Sequence, residues 1–213
     1  MFFYSSFFSR SVKGIPHFKL FKNHTPEDAA MRAALRKNVR LSGVFANPKW
    51  FAGCVGDVKH KLRIKDSYIK MARRIIRDLI IQSKRQNVTT VGVHVRRGDK
   101  SKQEWRLPHM AYFSKAMFFF KHKYKNVLFI VSSDDRLYVM EKFVQLTEYQ
   151  ADIVLVPKNN YTIDFAILSQ CDFVIQSEGT FSQWAAIFNG KESTYCIEHQ
   201  RGTLWPHWIP VRD

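Results

Sequence analysis

From Val88 onward the chain repeats one pattern that leaves little choice of fold: a short apolar run, a polar loop, then a stretch of helical periodicity. Val88–Val95 (VTTVGVHV) opens the series as a buried strand. A helical stretch follows from about His109 to Lys125, then strand Val127–Val131, a helix near Leu137–Tyr149 and strand Asp152–Val156. Tyr161–Gln170 reads as a helix, Phe173–Ile175 as a strand and Thr180–Phe188 as a helix. Short apolar strands alternating with helices build a parallel, doubly wound α/β layer, because each strand is covered on both faces. In such sheets ligands sit at the carboxyl ends of the strands. Two segments therefore share one rim: His94–Lys100 after the first strand and Gln176–Thr180 after the fourth.

The first 87 residues are of another kind. They hold 19 Lys/Arg against 5 Asp/Glu (+14), whereas residues 88–213 hold 15 against 13 (+2), so nearly all of the +16 lies in the N-terminal part. Residues 1–60 are irregular and broken by Pro16, Pro26 and Pro48. Glu27–Lys37 reads as a short helix, with Thr25 as N-cap and Pro26 at its first position. Asp66–Arg85 is the clearest helix: Ile69, Ala72, Ile76, Leu79 and Ile80 recur at helical spacing, and Lys70, Arg73, Arg74, Arg77 and Lys84 take the outer face. The expected organisation is a basic N-terminal region, 1–87, followed by an α/β domain, 88–213. A basic excess of this size suits nucleic acid, an anionic membrane or anionic ligands, and equally a solvated face. No nucleic-acid reader motif accompanies it, so no nucleic-acid partner is expected.

Targeting and redox signals are sparse. Cys54, Cys171 and Cys196 form no CxxC, and an odd count forbids complete internal pairing. Met1–Phe8 is far shorter than the ~20 residues of a membrane span and lacks the form of a signal peptide, so any membrane attachment is through an anchor not visible in this chain. Asn87-Val88-Thr89 and Asn160-Tyr161-Thr162 fit the N-glycosylation pattern.

His94-Val95-Arg96-Arg97-Gly98-Asp99 sets an imidazole, two guanidiniums and a carboxylate at a strand end. In extended backbone His94 and Arg96 share a face and Arg97 points the other way. A turn at Gly98 can bring Asp99 back onto one guanidinium, leaving the other for a phosphate, whose oxygens match the guanidinium fork. The same run also suits an ordinary loop after a strand. Ser177-Glu178-Gly179-Thr180 opens a helix, where backbone N–H groups, a hydroxyl and the positive helix end converge on an anion site; a plain N-cap is the other reading.

Taken together, VGVHVRRGD, NVLFIVSSDD and TIDFAILSQCDFVIQSEGTFSQWAA resemble the three ordered motifs of the α1,2-fucosyltransferases over Val91–Asn189. The α1,6- and protein O-fucosyltransferases share a looser form of them. The resemblance implies two Rossmann-like domains facing a cleft, the GT-B arrangement, of which residues 88–213 are the C-terminal, GDP-fucose-holding half. It implies that Arg96 and Arg97 engage the pyrophosphate, that His94 and Asp164 shape the guanosine pocket, and that Gly179 and Thr180, beside Ser177, bind the β-phosphate. Asp99 would orient the arginines, and Glu104, ten positions after the motif histidine, is the candidate general base. The implied reaction is an inverting displacement at fucose C1 onto the 2-hydroxyl of a terminal galactose on a glycan. The donor is GDP-fucose, with no metal and no further cofactor, and the expected location is the lumenal side of the Golgi membrane.

Three departures accompany the resemblance. Glu178 stands where the family usually has an apolar residue, and Lys100 replaces a common aromatic. The 93 residues before the motif are fewer than the family's anchor, stem and first domain, so the expectation includes a shortened acceptor-side domain and, as the alternative, a relative that binds GDP-fucose without turnover. Trp205-Pro206-His207-Trp208 suits sugar stacking or an aromatic core. Asp134-Asp135 is the nearest acidic pair that could imitate a metal motif. With arginines supplying the positive charge, GDP binding is expected to survive EDTA; binding abolished by EDTA and restored by manganese, followed by calorimetry, would favour the metal reading.

Overall fold

In a computed structural model of the chain, the residues described are 17–19, 40–42, 55–98, 107–145, 147–196 and 207–212. They fall into two compact units. One contains the short parallel strands β1 (His17–Lys19) and β2 (Arg40–Ser42), paired with His17 opposite Arg40, and helix α1 (Val55–Lys61). The expected helix Glu27–Lys37 lies outside the described residues.

The other unit, from Ile64 on, holds helix α2 (Asp66–Gln82) and then β3 (Thr89–Val95), α3 (Met110–Lys123) and β4 (Val127–Ser133). A short helix α4 (Arg136–Tyr138) runs on as a π-helical turn, Val139–Phe143. Strand β5 (Ile153–Leu155), α5 (Tyr161–Gln170), β6 (Phe173–Ile175), α6 (Thr180–Asn189), β7 (Ser193–Cys196) and β8 (Trp208–Val211) complete it. The six strands β3–β8 form one sheet in the order β5-β4-β3-β6-β7-β8, every pair parallel. The expected α/β, Rossmann-like parallel sheet is thus what the chain forms. Winding starts at central β3, runs outward through β4 and β5, then returns to β6 on the other side, so the switch point lies between β3 and β6.

Side-chain alternation along β3 assigns the layers. Val91, Val93 and Val95 join Phe129 and Val131 of β4 under Tyr112, Phe113, Ala116, Met117 and Phe120 of α3, with Val139 and Phe143 closing that core. Thr90, Gly92 and His94 face the other way. At Gly92 a Cβ would lie 3.0 Å from Leu168 Cδ2 and 3.2 Å from Cys171 Sγ, so α5 sits directly on the strand. Ala72, Ile76 and Leu79 form the buried stripe of α2, which packs on α5, and Arg73 Nε donates to Gln170 Oε1 at 3.0 Å.

Several expected boundaries move. The α2 helix stops at Gln82, not Arg85: Lys84 takes a left-handed φ of 55°, and the Arg85 guanidinium is drawn to the carbonyls of Val127 (3.0 Å) and Ala151 (2.8 Å) and to Asp152 (2.7 Å). The helix expected over Leu137–Tyr149 is cut short because its turn widens at Val139–Phe143, which puts both of those side chains in the core. Strands β7 and β8 were not expected. STYC reads as polar, yet Ser193 and Thr194 are buried, and Ser193 Oγ accepts from Gln176 Nε2 (2.7 Å) and donates to the Val174 carbonyl (2.8 Å). Trp208 is buried in β8 near Tyr195, with ring centroids 6.4 Å apart, which is the core reading of that tryptophan; Trp205 and Pro206 lie outside the described residues. Cys171 is a buried free thiol, Cys196 is buried, and Cys54 lies outside the described residues. Among the described residues no helix is long and apolar enough to cross a membrane.

Opposite the carboxyl rim, Asp172 ties the entry of β3 to the α5–β6 turn. Its Oδ2 accepts from both the N–H and the hydroxyl of Thr90 at 2.9 Å, and its Oδ1 from Lys191 Nζ at 3.2 Å. Burial acts to raise this carboxyl's pKa, but the Thr90 hydrogen bonds and the Lys191 ammonium outweigh it and hold it below the usual carboxylate range. A depressed folded-state pKa stabilises above the unfolded value near pH 4 and is lost as pH falls through the folded value. Asp172→Ala is expected to cost about 1–2 kcal/mol at pH 7, with the gap to wild type closing below about pH 4 in urea denaturation; a pH-independent gap would refute the assignment.

Candidate functional site

At the switch point the ends of β3, β4 and β6 meet. The Arg96 N–H donates to Ser177 Oγ at 3.2 Å, so the loops after β3 and β6 are joined across the reversal. Ser177 is itself held by Ser182, whose Oγ accepts the Ser177 N–H and donates to the Ser177 carbonyl, both at 3.1 Å. Gly179 follows with φ 97°, a left-handed conformation suited to glycine, and caps α6, whose first residue is Thr180. A Cβ at Gly179 would meet nothing within 4 Å, so the approach to the helix start is open. The start of α6, with its positive helix end, thus lies across the switch point from the arginine loop.

The arginines are held from the β4 side. Arg96 Nη1 lies 2.8 Å from Asp134 Oδ2, and the Arg97 N–H donates to Asp134 Oδ1 at 2.7 Å. The Arg97 guanidinium stacks over the Tyr138 ring, 4.0 Å from its centroid. Asp134 was read from the sequence as half of an acidic pair that might imitate a metal motif. Instead the pair divides: Asp135 Oδ1 accepts the Tyr138 N–H at 3.0 Å and caps α4. Among the described residues no three His, Cys, Asp or Glu side chains gather as a metal set. Asp99, expected to hold a guanidinium, lies outside the described residues, as do Lys100 and Glu104.

Beneath this charged loop, on the α5–α6 face, is a buried polar group. His94 is buried, its ring 4.9 Å from that of Phe181, and burial together with the Arg96 charge pushes its pKa down to about 3, so it is neutral at pH 7. Its register partner on β4 is Ser132, which hydrogen-bonds Asp164 of α5. Burial pushes the Asp164 pKa up to about 6, against the Ser132 hydrogen bond and the charge of Arg136. Arg136 is anchored by its Nη1 donating to the Val156 carbonyl. Among the described residues, His94 Nδ1 and Asp164 Oδ1 are buried atoms with no hydrogen-bond partner. The structure thus brings together His94, Arg96, Arg97, Ser177, Gly179 and Thr180 at the rim and sets Asp164 on the same face as His94. Tyr138 and Arg136 were missed, and Ser132 and Asp134, though inside the motif NVLFIVSSDD, were not given these roles; all lie in or just after β4, and the polar run SSDDRLY at a strand's carboxyl end was the available signal.

A parallel sheet that starts at its centre, with cationic groups and a helix start facing each other where its winding reverses, defines a doubly wound, Rossmann-like domain. Residues 21–202 match glycosyl transferase family 11, and the chain belongs to that family. It is 29% identical over 194 residues to galactoside alpha-(1,2)-fucosyltransferase 1 of Rattus norvegicus, covering 81% of this chain and 51% of that protein. It is 28% identical over 169 residues to galactoside alpha-(1,2)-fucosyltransferase 2 of Bos taurus, covering 76% and 48%. The chain therefore spans about half the length of the curated relatives it matches. In fold it is similar to the crystal structure of POFUT1 in complex with GDP, with a TM-score of 0.50 and 11% identity over 74% of this chain and 52% of that one.

A raised carboxyl pKa carries its own signature. Asp164 favours the folded state below the unfolded value near pH 4, and that contribution is lost as pH rises through about 6. Asp164→Asn is expected to remove the loss, leaving the variant more stable than wild type by about 1–3 kcal/mol at pH 8 and level with it near pH 4. Urea denaturation at the two pH values checks this; equal stability of the two proteins at pH 8 would count against the burial of that charge.

Proposed function

We propose that this chain carries the donor-binding half of an α1,2-fucosyltransferase that moves L-fucose from GDP-β-L-fucose to the 2-hydroxyl of a terminal galactose on a glycan. The observation that carries the reading is that, in a family 11 chain, the Arg96–Arg97 loop after β3 and the loop that leads into α6 lie on either side of the switch point and are joined by the Arg96 N–H to Ser177 Oγ hydrogen bond. A diphosphate needs positive groups from two directions as it leaves with the electrons of the C1–O bond. Two guanidiniums on one side and a helix N-terminus on the other answer that need.

In this reading the residues divide the work. Arg96 and Arg97 take the diphosphate charge, and Gly179 and Thr180 offer the N–H groups of the first turn, with Ser177 holding that loop to Arg96. His94, neutral and buried, and Asp164, a carboxyl with one oxygen unpaired by the protein, suit the donor-rich edge of a purine base. POFUT1, which shares the fold, was solved in complex with GDP, and that supports a guanine nucleotide here. Asp99 remains a proposed support for the arginine loop and Glu104 the proposed base that takes the proton of the acceptor hydroxyl. Attack from the face opposite the leaving diphosphate inverts the configuration at C1. Location on the lumenal side of the Golgi membrane belongs to the same proposal, as does a contribution of the basic region 1–87 to the acceptor side.

Removing one charged contact to phosphate costs about 1.5–3 kcal/mol, or roughly 10- to 100-fold in affinity. Arg96→Ala and Arg97→Ala are each expected to weaken GDP binding by that factor in calorimetry, and to abolish transfer from radiolabelled GDP-fucose to lactose wherever the wild type transfers. Wild-type binding of GDP without transfer would favour a binding protein over an enzyme. Unchanged GDP affinity in both variants would sink the assignment.

A further inference from the structure

We infer that Asp134 is a positioning residue for the anion site, acting through Arg96 and the backbone of Arg97 without touching the ligand; this rests on the nucleotide reading above. Asp134 follows β4, one strand away from the arginine loop. Its two oxygens serve two consecutive residues differently: Oδ2 takes the Arg96 guanidinium at 2.8 Å and Oδ1 the Arg97 main-chain N–H at 2.7 Å. From the opposite side Ser177 Oγ takes the Arg96 N–H at 3.2 Å. The two residues are thus pinned in side chain and main chain from both neighbouring strands.

The position after them is shaped by the same carboxylate. A Cβ at Gly98 would run into Asp134 Oδ2, so the space of a side chain at 98 is already filled by Asp134. Its neighbour Asp135 cannot take its place, because Asp135 Oδ1 is committed to the cap of α4. Nor does stability account for the arrangement. Both members of the Arg96–Asp134 pair are about one-third exposed, side chains at 34% and 29%, and exposed ion pairs contribute little to folding. What the pair supplies is geometry. An arginine already held in place loses less conformational freedom when an anion arrives, and that preorganisation appears as affinity.

A double-mutant cycle on the full chain tests this, with GDP as the titrant in calorimetry. The proteins are wild type, Asp134→Asn, Arg96→Ala and the double variant. Asparagine can still accept the Arg97 N–H but cannot form the ion pair. Asp134→Asn is expected to weaken GDP binding about tenfold in the wild-type background, and less than about twofold when Arg96 is already alanine. Asp134→Glu, which keeps the charge, should recover part of the loss. An equal loss in both backgrounds means a general structural effect and overturns the inference, as does wild-type or tighter binding by Asp134→Asn. Should Asp134→Asn not fold, Asp134→Ser takes its place in the same cycle: a loss confined to the background that keeps Arg96 supports the inference, and an equal loss in both backgrounds or wild-type binding overturns it. A wild-type chain that fails to bind GDP at all overturns the nucleotide reading, and this inference with it.

Discussion

Strand β3 is covered on one face by α3 and on the other by α5, and the second contact is so close that Leu168 and Cys171 leave no room for a side chain at Gly92. The site depends on that contact. With α5 seated on Gly92, Asp172 at the end of that helix reaches Thr90 and fixes where β3 enters the sheet. Side chains alternate along a strand, so the same seating decides that His94 faces α5 and α6 while Val93 and Val95 face α3. A slip of one residue would bury the arginine loop's neighbours on the wrong side and take His94 away from Ser132 and Phe181.

The rim combines two electrostatic environments within a few residues. Below it, burial keeps the His94 imidazole neutral and pushes the Asp164 carboxyl up to about 6, so on that face an uncharged ring accompanies a carboxylate whose charge is costly to bury. Above it, Arg96 and Arg97 are held by a carboxylate, a ring and a hydroxyl, drawn from Asp134, Tyr138 and Ser177. That division is what the proposed nucleotide reading rests on.

Much of this was legible in the residues themselves. Apolar runs at 88–95, 127–131 and 173–175, separated by helical periodicity, mark a parallel sheet because full burial of a strand demands apolar residues on both faces. The arginines and the helix start could be assigned to one rim from chain order alone. Less could be read where burial was polar: Ser193 and Thr194 enter the sheet as β7 because Gln176 and the Val174 carbonyl satisfy the Ser193 hydroxyl, and β8 tolerates Pro210 at the sheet's edge. The π-helical turn after α4 follows from core packing of Val139 and Phe143, which periodicity alone does not show.

By itself the sequence determined the fold class, the rim and the chemical types gathered there, because these follow from local periodicity and from the order of strands and loops. Only the tertiary structure decided which carboxylate meets which arginine. Asp134 reaches Arg97 across 37 positions of chain, and Ser177 reaches Arg96 across 81. Such pairings arise when separate strand ends are brought level by the register of the sheet, and register is set by the packing of both faces together rather than by any one segment.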